Sequence, residues 1–142
     1  MKIQTFISQS PEETQQLGRQ WGKCIQVGTI VVLTGALGSG KTMFVKGVAE
    51  ALNVREIVNS PTFVFVNEYK GVIPVYHLDL YRVDNSLDAE SIGYEEYLKS
   101  DGVSLIEWGD KIKDDLPKSA IWVMFEITGE QKRKIKIRGG RG

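Results

Sequence analysis

Eight consecutive residues, Gly35-Ala36-Leu37-Gly38-Ser39-Gly40-Lys41-Thr42, match the pattern G-x-x-x-x-G-K-[ST] at every fixed position. The spacing has a mechanical reason. Glycines let the backbone fold back and turn successive N–H groups inward. Those amides, with the positive end of a following helix, suit the β- and γ-phosphates of a nucleotide. Lys41 adds a cation over the same phosphates. The Thr42 hydroxyl is placed to coordinate Mg²⁺. The pattern predicts a protein that binds ATP with Mg²⁺ and hydrolyses it.

Such a site needs a carboxylate for the metal and a group that orients or deprotonates water. Two acids sit at the ends of apolar runs. Asp79 follows Ile73-Pro74-Val75-Tyr76-His77-Leu78, and Glu107 follows Val103-Ser104-Leu105-Ile106. Ligand sites in α/β sheets lie at the carboxyl ends of parallel strands, which suits both. The strand pattern leaves open which acid holds metal and which handles water. The plainer alternative for each is an acid facing solvent. Ser60-Pro61-Thr62-Phe63 reads as a loop that senses the γ-phosphate, with the Thr62 hydroxyl toward Mg²⁺, or as ordinary turn chemistry. His77, the only histidine, reads as a hydrogen-bonded structural residue. Arg82 reads as a phosphate or partner contact, or equally as half of a surface ion pair. Trp108 either lies near the nucleotide or fills the core; Trp21 and Trp122 read as packing residues.

The elements that must position these groups follow from patterning. Lys2 to Ile7 is expected to form an edge strand. Ser10-Pro11-Glu12-Glu13 starts a helix, with Ser10 as N-cap and Glu13 completing a capping box, and the helix is expected to run to about Ile25. Thr29 to Thr34 (TIVVLT) is the kind of run found in a strand buried on both faces. The glycine-rich turn follows, then a helix from Lys41 to about Leu52 that ends near Asn53. Residues 62–69 and 73–80 predict an antiparallel hairpin, and residues 85–98 short helices. Val103 to Trp108 is another buried strand. A helical turn or two follows from Asp110 to Leu116, stopped by Pro117. Residues 120–128 and 132–138 predict a second hairpin. These elements make one α/β domain over residues 1–142, a three-layer phosphate-loop architecture around a mixed sheet.

The 142 residues suffice for one domain with a real core. Eighteen basic residues balance eighteen acidic ones. A neutral chain has no strong field to draw it onto nucleic acid or anionic lipid. The run Lys132-Arg133-Lys134 with Lys136 and Arg138 is expected to lie on a solvated edge strand, with residues 139–142 as a frayed tail. Cys24 is the only cysteine, so no internal disulfide can form, and it is expected as a small core residue on the first helix. No apolar run approaches the roughly 20 residues needed to span a bilayer. The N-terminal residues carry no apolar signal core, so a cytoplasmic location is expected.

Four motifs occur in one order and spacing: the phosphate loop, Ser60-Pro61-Thr62-Phe63, His77-Leu78-Asp79-Leu80-Tyr81-Arg82, and Ile106-Glu107-Trp108. Together they resemble the TsaE (YjeE) family, the ATPase of bacterial tRNA threonylcarbamoyladenosine biosynthesis, from Ser10 to about Pro117. The resemblance implies a phosphate-loop fold with a mixed sheet. It implies ATP held by Gly35 to Met43 and Mg²⁺ by Thr42, Thr62 and Asp79. Glu107 takes the hydrolytic chemistry with Lys41, and Trp108 lies close to the nucleotide. It further implies two partners like TsaB and TsaD, the second of which modifies adenosine 37 of tRNA. Contact with tRNA is then indirect, and turnover slow without partners. Two positions depart from the family pattern. Met43 stands where a second threonine is common, and Gly109 where a bulkier residue is common.

Other readings compete. A small-molecule kinase shares the loop but needs an acceptor pocket and a lid. A nucleotide-gated binding module would use ATP to order the region around Thr62, with hydrolysis incidental. A GTPase would be expected to carry Asn-Lys-x-Asp, which this sequence lacks.

Overall fold

A computed structural model describes residues 3–56, 58, 66–81, 96, 98 and 101–139. In chain order the elements are β1 (Ile3–Ser8), α1 (Pro11–Gly22), β2 (Ile30–Thr34), α2 (Lys41–Ala51), β3 (Val66–Lys70), β4 (Pro74–Asp79), β5 (Val103–Glu107), a 3₁₀ segment (Gly109–Asp115), β6 (Ile121–Ile127) and β7 (Arg133–Arg138).

The strands form a sheet in the order β1-β7-β6-β2-β5-β4-β3. Strands β6, β2, β5 and β4 run parallel, and β7, β1 and β3 join antiparallel at the flanks. This is the mixed sheet that the sequence predicts, with both hairpins present. Strand β2 lies at the centre, and Val31, Val32 and Leu33 are completely buried. Each such side chain contributes about 1.5–3 kcal/mol of burial.

Two apolar layers cover the sheet. On one face Val31, Leu33, Leu105 and Val123 pack with Phe44, Val45 and Val48 of α2. On the other, Val32, Leu78 and Ile106 pack with Ile112 of the 3₁₀ segment and with Leu116. Helix α1 crosses α2 through glycines. A Cβ at Gly47 would lie 1.9 Å from the Gln15 carbonyl oxygen, and one at Gly18 2.3 Å from that of Phe44. The two backbones therefore touch, which fixes α2 against its neighbour.

Local signals explain the ends of the helices. Ser10 caps α1 by accepting from Glu13 N at 3.2 Å, and the Glu13 carboxylate accepts from Gln9 N, one residue before the cap. Helix α1 stops at Gly22, earlier than its sequence suggests. A Cβ there would touch Val48 Cα at 3.0 Å, and the chain beyond winds into i→i−3 bonds from Cys24 and Ile25. Cys24 consequently lies past the helix and is exposed, which corrects the expectation of a core residue. Helix α2 ends in a Schellman motif: Asn53, at φ 61°, donates to Glu50 O, and Val54 donates to Ala49 O.

A second correction concerns β7. The basic alternating strand is not an edge: it pairs with β6 on one side and β1 on the other. The N-terminal strand β1 takes the edge, as expected for it. No described helix is long and apolar enough to cross a membrane.

Candidate functional site

Strand β2 delivers the chain to the carboxyl edge of the sheet, where the glycine loop turns into α2. Gly35 has φ 144° and Gly40 φ 106°, conformations that side chains rarely adopt. A Cβ on Gly35 would also lie 2.8 Å from both Phe125 O and Ser39 Oγ. The loop closes on itself through Ser39 N donating to Ala36 O at 3.1 Å. Gly40 is the N-cap of α2 and brings no side chain to cap it. The amides of the first turn thus receive no side-chain acceptor from the cap, and they carry the positive end of the helix dipole. Ser39 Oγ is buried with no hydrogen-bond partner among the described residues. A helix start with no side-chain cap, an unmatched buried hydroxyl and a tight glycine turn are what an anion cradle requires.

Lys41, the first residue of α2, is only 5% exposed. Its Nζ donates to Gly35 O at 2.5 Å and Ala36 O at 3.2 Å, and stands 3.9 Å over the Trp108 ring. Burial lowers its pKa, while the negative charges of Glu107, Asp79 and Asp110 work in the opposite direction. The loop's own carbonyls and cation–π attraction satisfy this ammonium.

The acids come from adjacent parallel strands. Register pairs Asp79 at the end of β4 with Glu107 at the end of β5, and β5 lies beside β2. Glu107 is 3% exposed. Thr42 Oγ1 donates to it at 3.2 and 3.3 Å, and His77 Nε2 lies 2.5 Å from its Oε2. Asp79 is half-buried and accepts from Tyr81 N at 2.9 Å. Burial raises its pKa most, the Tyr81 N–H offsets part of this, and the charge of Glu107 raises it further. The oxygens of Thr42, Asp79 and Glu107 are hard donors of the kind that Mg²⁺ takes. Among the described residues no group of three or more His, Cys, Asp and Glu could hold a metal unaided.

Trp108 turns the chain out of β5 in a left-handed conformation, φ 62°, and donates its N–H to Leu33 O at 3.1 Å. Its ring meets both Lys41 Nζ and the Tyr81 ring, whose centroid is 5.0 Å away. Gly109 follows because a Cβ there would lie 2.4 Å from Val32 Cγ1, so packing accounts for the departure at this position.

The structure therefore brings Lys41, Thr42, Glu107 and Trp108 into one network with the loop, and sets Asp79 beside Glu107. Ala36, Leu37 and Gly38 are exposed at the loop's tip, and Met43 is half-buried. Thr62 and Arg82 lie outside the described residues. Two contributions are not legible in sequence. Arg133, one of a basic run, donates to Gly38 O at 3.1 Å and to the carbonyls of Gly129, Glu130 and Lys132, tying the β6–β7 turn to the loop. His77 is completely buried against Glu107. The pairing with Glu107 is a matter of register, which no local pattern announces.

Known proteins resemble this chain over most of its length. Residues 8–135 match the family model described as threonylcarbamoyl adenosine biosynthesis protein TsaE. The tRNA threonylcarbamoyladenosine biosynthesis protein TsaE of Bacillus subtilis is 38% identical over 136 residues, covering 95% of this chain and 85% of the relative. Its counterpart in Treponema pallidum is 36% identical over 131 residues, covering 92% and 97%. That of Aquifex aeolicus is 37% identical over 140 residues, covering 95% and 96%. Among solved structures, the crystal structure of Bacillus subtilis YdiB superposes with a TM-score of 0.83 at 34% identity, covering 96% of this chain and 84% of that one.

Proposed function

This chain belongs to the TsaE family of tRNA threonylcarbamoyladenosine biosynthesis proteins, and from that premise we propose that it is a Mg²⁺-dependent ATPase that drives the modification. The observation that supports this most is the buried chain of contacts from the loop carbonyls through Lys41 to Trp108, and from Thr42 to Glu107. Two ionic groups held this far from water are costly unless a ligand or reaction uses them.

In this reading the loop amides and Lys41 bind the phosphates of ATP. On binding, the Lys41 ammonium exchanges the carbonyls of Gly35 and Ala36 for phosphate oxygens. Thr42 and Asp79 hold Mg²⁺, joined by Thr62 as the family resemblance implies. The metal supplies charge neutralisation across the phosphates. Glu107 orients and deprotonates the attacking water, and Trp108 packs near the nucleotide. Turnover is slow in the isolated protein and completed by TsaB- and TsaD-like partners in the bacterial cytoplasm, with tRNA reached through them.

The test is phosphate release from ATP by the purified protein with and without Mg²⁺. Wild type should release phosphate only with the metal. Lys41→Ala should lose at least about a hundredfold of that rate, on the scale of a lost electrostatic contact to the transition state. A Lys41→Ala protein that hydrolyses ATP at the wild-type rate would overturn the proposal.

A further inference from the structure

His77 stands one pleat before Asp79 on β4 and pairs in register with Leu105, two residues before Glu107. Its ring is completely buried and lies beside Tyr69, with centroids 6.2 Å apart. Among the described residues its only polar contact is Nε2 to Glu107 Oε2, at 2.5 Å. Nδ1 is buried with no partner among them. An ionised carboxylate can only accept, so opposite one the ring's N–H belongs at Nε2.

Packing does not explain this residue. An apolar side chain would fill the same space without burying an unmatched nitrogen. The imidazole therefore serves the one contact it makes. That contact takes Oε2 of Glu107. Thr42 Oγ1 lies 3.2 Å from Oε2 and 3.3 Å from Oε1, so among the described residues Oε2 carries two contacts and Oε1 one. The main chain of Glu107 is fixed as well, since its carbonyl accepts from Leu80 N at 3.0 Å.

We propose that His77 is the positioning residue of this site: it pins Oε2 of Glu107 so that Oε1 is presented to the attacking water. This rests on the ATPase reading above. His77, having no exposed surface, touches neither nucleotide nor water. Its effect runs through the carboxylate, where a displacement of about 1 Å can cost on the order of a hundredfold in rate.

The experiment pairs single-turnover ATP hydrolysis with equilibrium binding of a non-hydrolysable Mg·ATP analogue and a melting curve. His77→Phe keeps a ring of similar size and removes the donor. It should lower the hydrolysis rate by about ten- to a hundredfold, with analogue affinity within about twofold. His77→Gln places an amide N–H near the position of Nε2 and should recover much of the rate; it also serves if the phenylalanine variant does not fold. In a Glu107→Ala background, His77→Phe should cost nothing further, because the group it positions is gone. A His77→Phe protein with wild-type hydrolysis would overturn the proposal. So would rate and affinity falling together in His77→Phe and His77→Gln alike, or a full additional loss in the Glu107→Ala background. Failure of wild type itself to hydrolyse ATP overturns the ATPase reading, and this inference with it.

Discussion

At the carboxyl edge of the parallel strands, Lys41, His77 and Glu107 are polar and almost wholly buried. On the antiparallel flank of β6, β7 and β1, charge is just as dense but arranged differently. Lys134, Lys136 and Arg138 alternate along β7 with Ile135 and Ile137, which point into the core. Lys136 is exposed, and Arg138 lies over the face of Trp122 at 5.7 Å. Along this flank the charged side chains keep at least part of their surface in water while their neighbours fill the core, although Arg138 Nε itself is buried without a partner among the described residues. The edge buries two ionic side chains, Lys41 and Glu107, and sets the buried imidazole of His77 against the second. Charge by itself thus says little about function in this molecule. Charge removed from water, with its hydrogen bonds supplied by a glycine loop for Lys41 and by Thr42 and His77 for Glu107, says a great deal. Arg133 is where the two regions meet, reaching from the start of β7 to Gly38.

Glycines offer the sharpest way to break this contrast. Gly40 and Gly139 both have positive φ, 106° and 96°. Alanine at either should cost about 1–2 kcal/mol of backbone strain. Only Gly40→Ala, which distorts the loop at the start of α2, should also weaken nucleotide binding, by at least about tenfold on the same energy scale. Titration with a fluorescent ATP analogue checks this. Equal losses of affinity in both variants would mean that the loop is not special.

Asp79 gives a smaller effect, with a sign. Burial raises its pKa in the folded chain. The folded protein then holds this proton more tightly than the unfolded one, so stability falls as pH climbs from the ordinary carboxylate value through the raised one. Asp79→Asn removes that penalty. With EDTA present it should raise the melting temperature at pH 8 by about 1–3 °C, and the gain should vanish as pH drops below the ordinary carboxylate value. Lys136→Ala on the flank should change stability by less than about 0.5 kcal/mol at either pH. A gain for Asp79→Asn that is independent of pH would show that the carboxylate is not strained by burial.

Much of the site is legible in sequence because its signal is local. Eight adjacent residues carry the phosphate loop, and the nearly all-apolar run before it reads as a strand buried on both faces. Asp79 and Glu107 are recognisable as strand ends for the same reason. Their adjacency is not, because it depends on β5 lying between β2 and β4. His77 looks like any strand histidine until that register puts Glu107 beside it. The misreading of β7 has the same origin. A basic alternating strand resembles an edge, and only pairing with the distant N-terminal strand makes it interior. Cys24 fell outside α1 because packing of Gly22 against α2, a tertiary contact, decides where the helix stops. The roles expected for Thr62 and Arg82 lie outside the described residues.

The central claim is that Glu107 performs hydrolysis and is not needed to hold the nucleotide. Glu107→Gln keeps the size of the side chain and an acceptor for Thr42, and removes the base. Binding of a non-hydrolysable Mg·ATP analogue should stay within about threefold of wild type, while phosphate release falls by at least about a hundredfold. Phosphate release by Glu107→Gln at the wild-type rate would contradict the account.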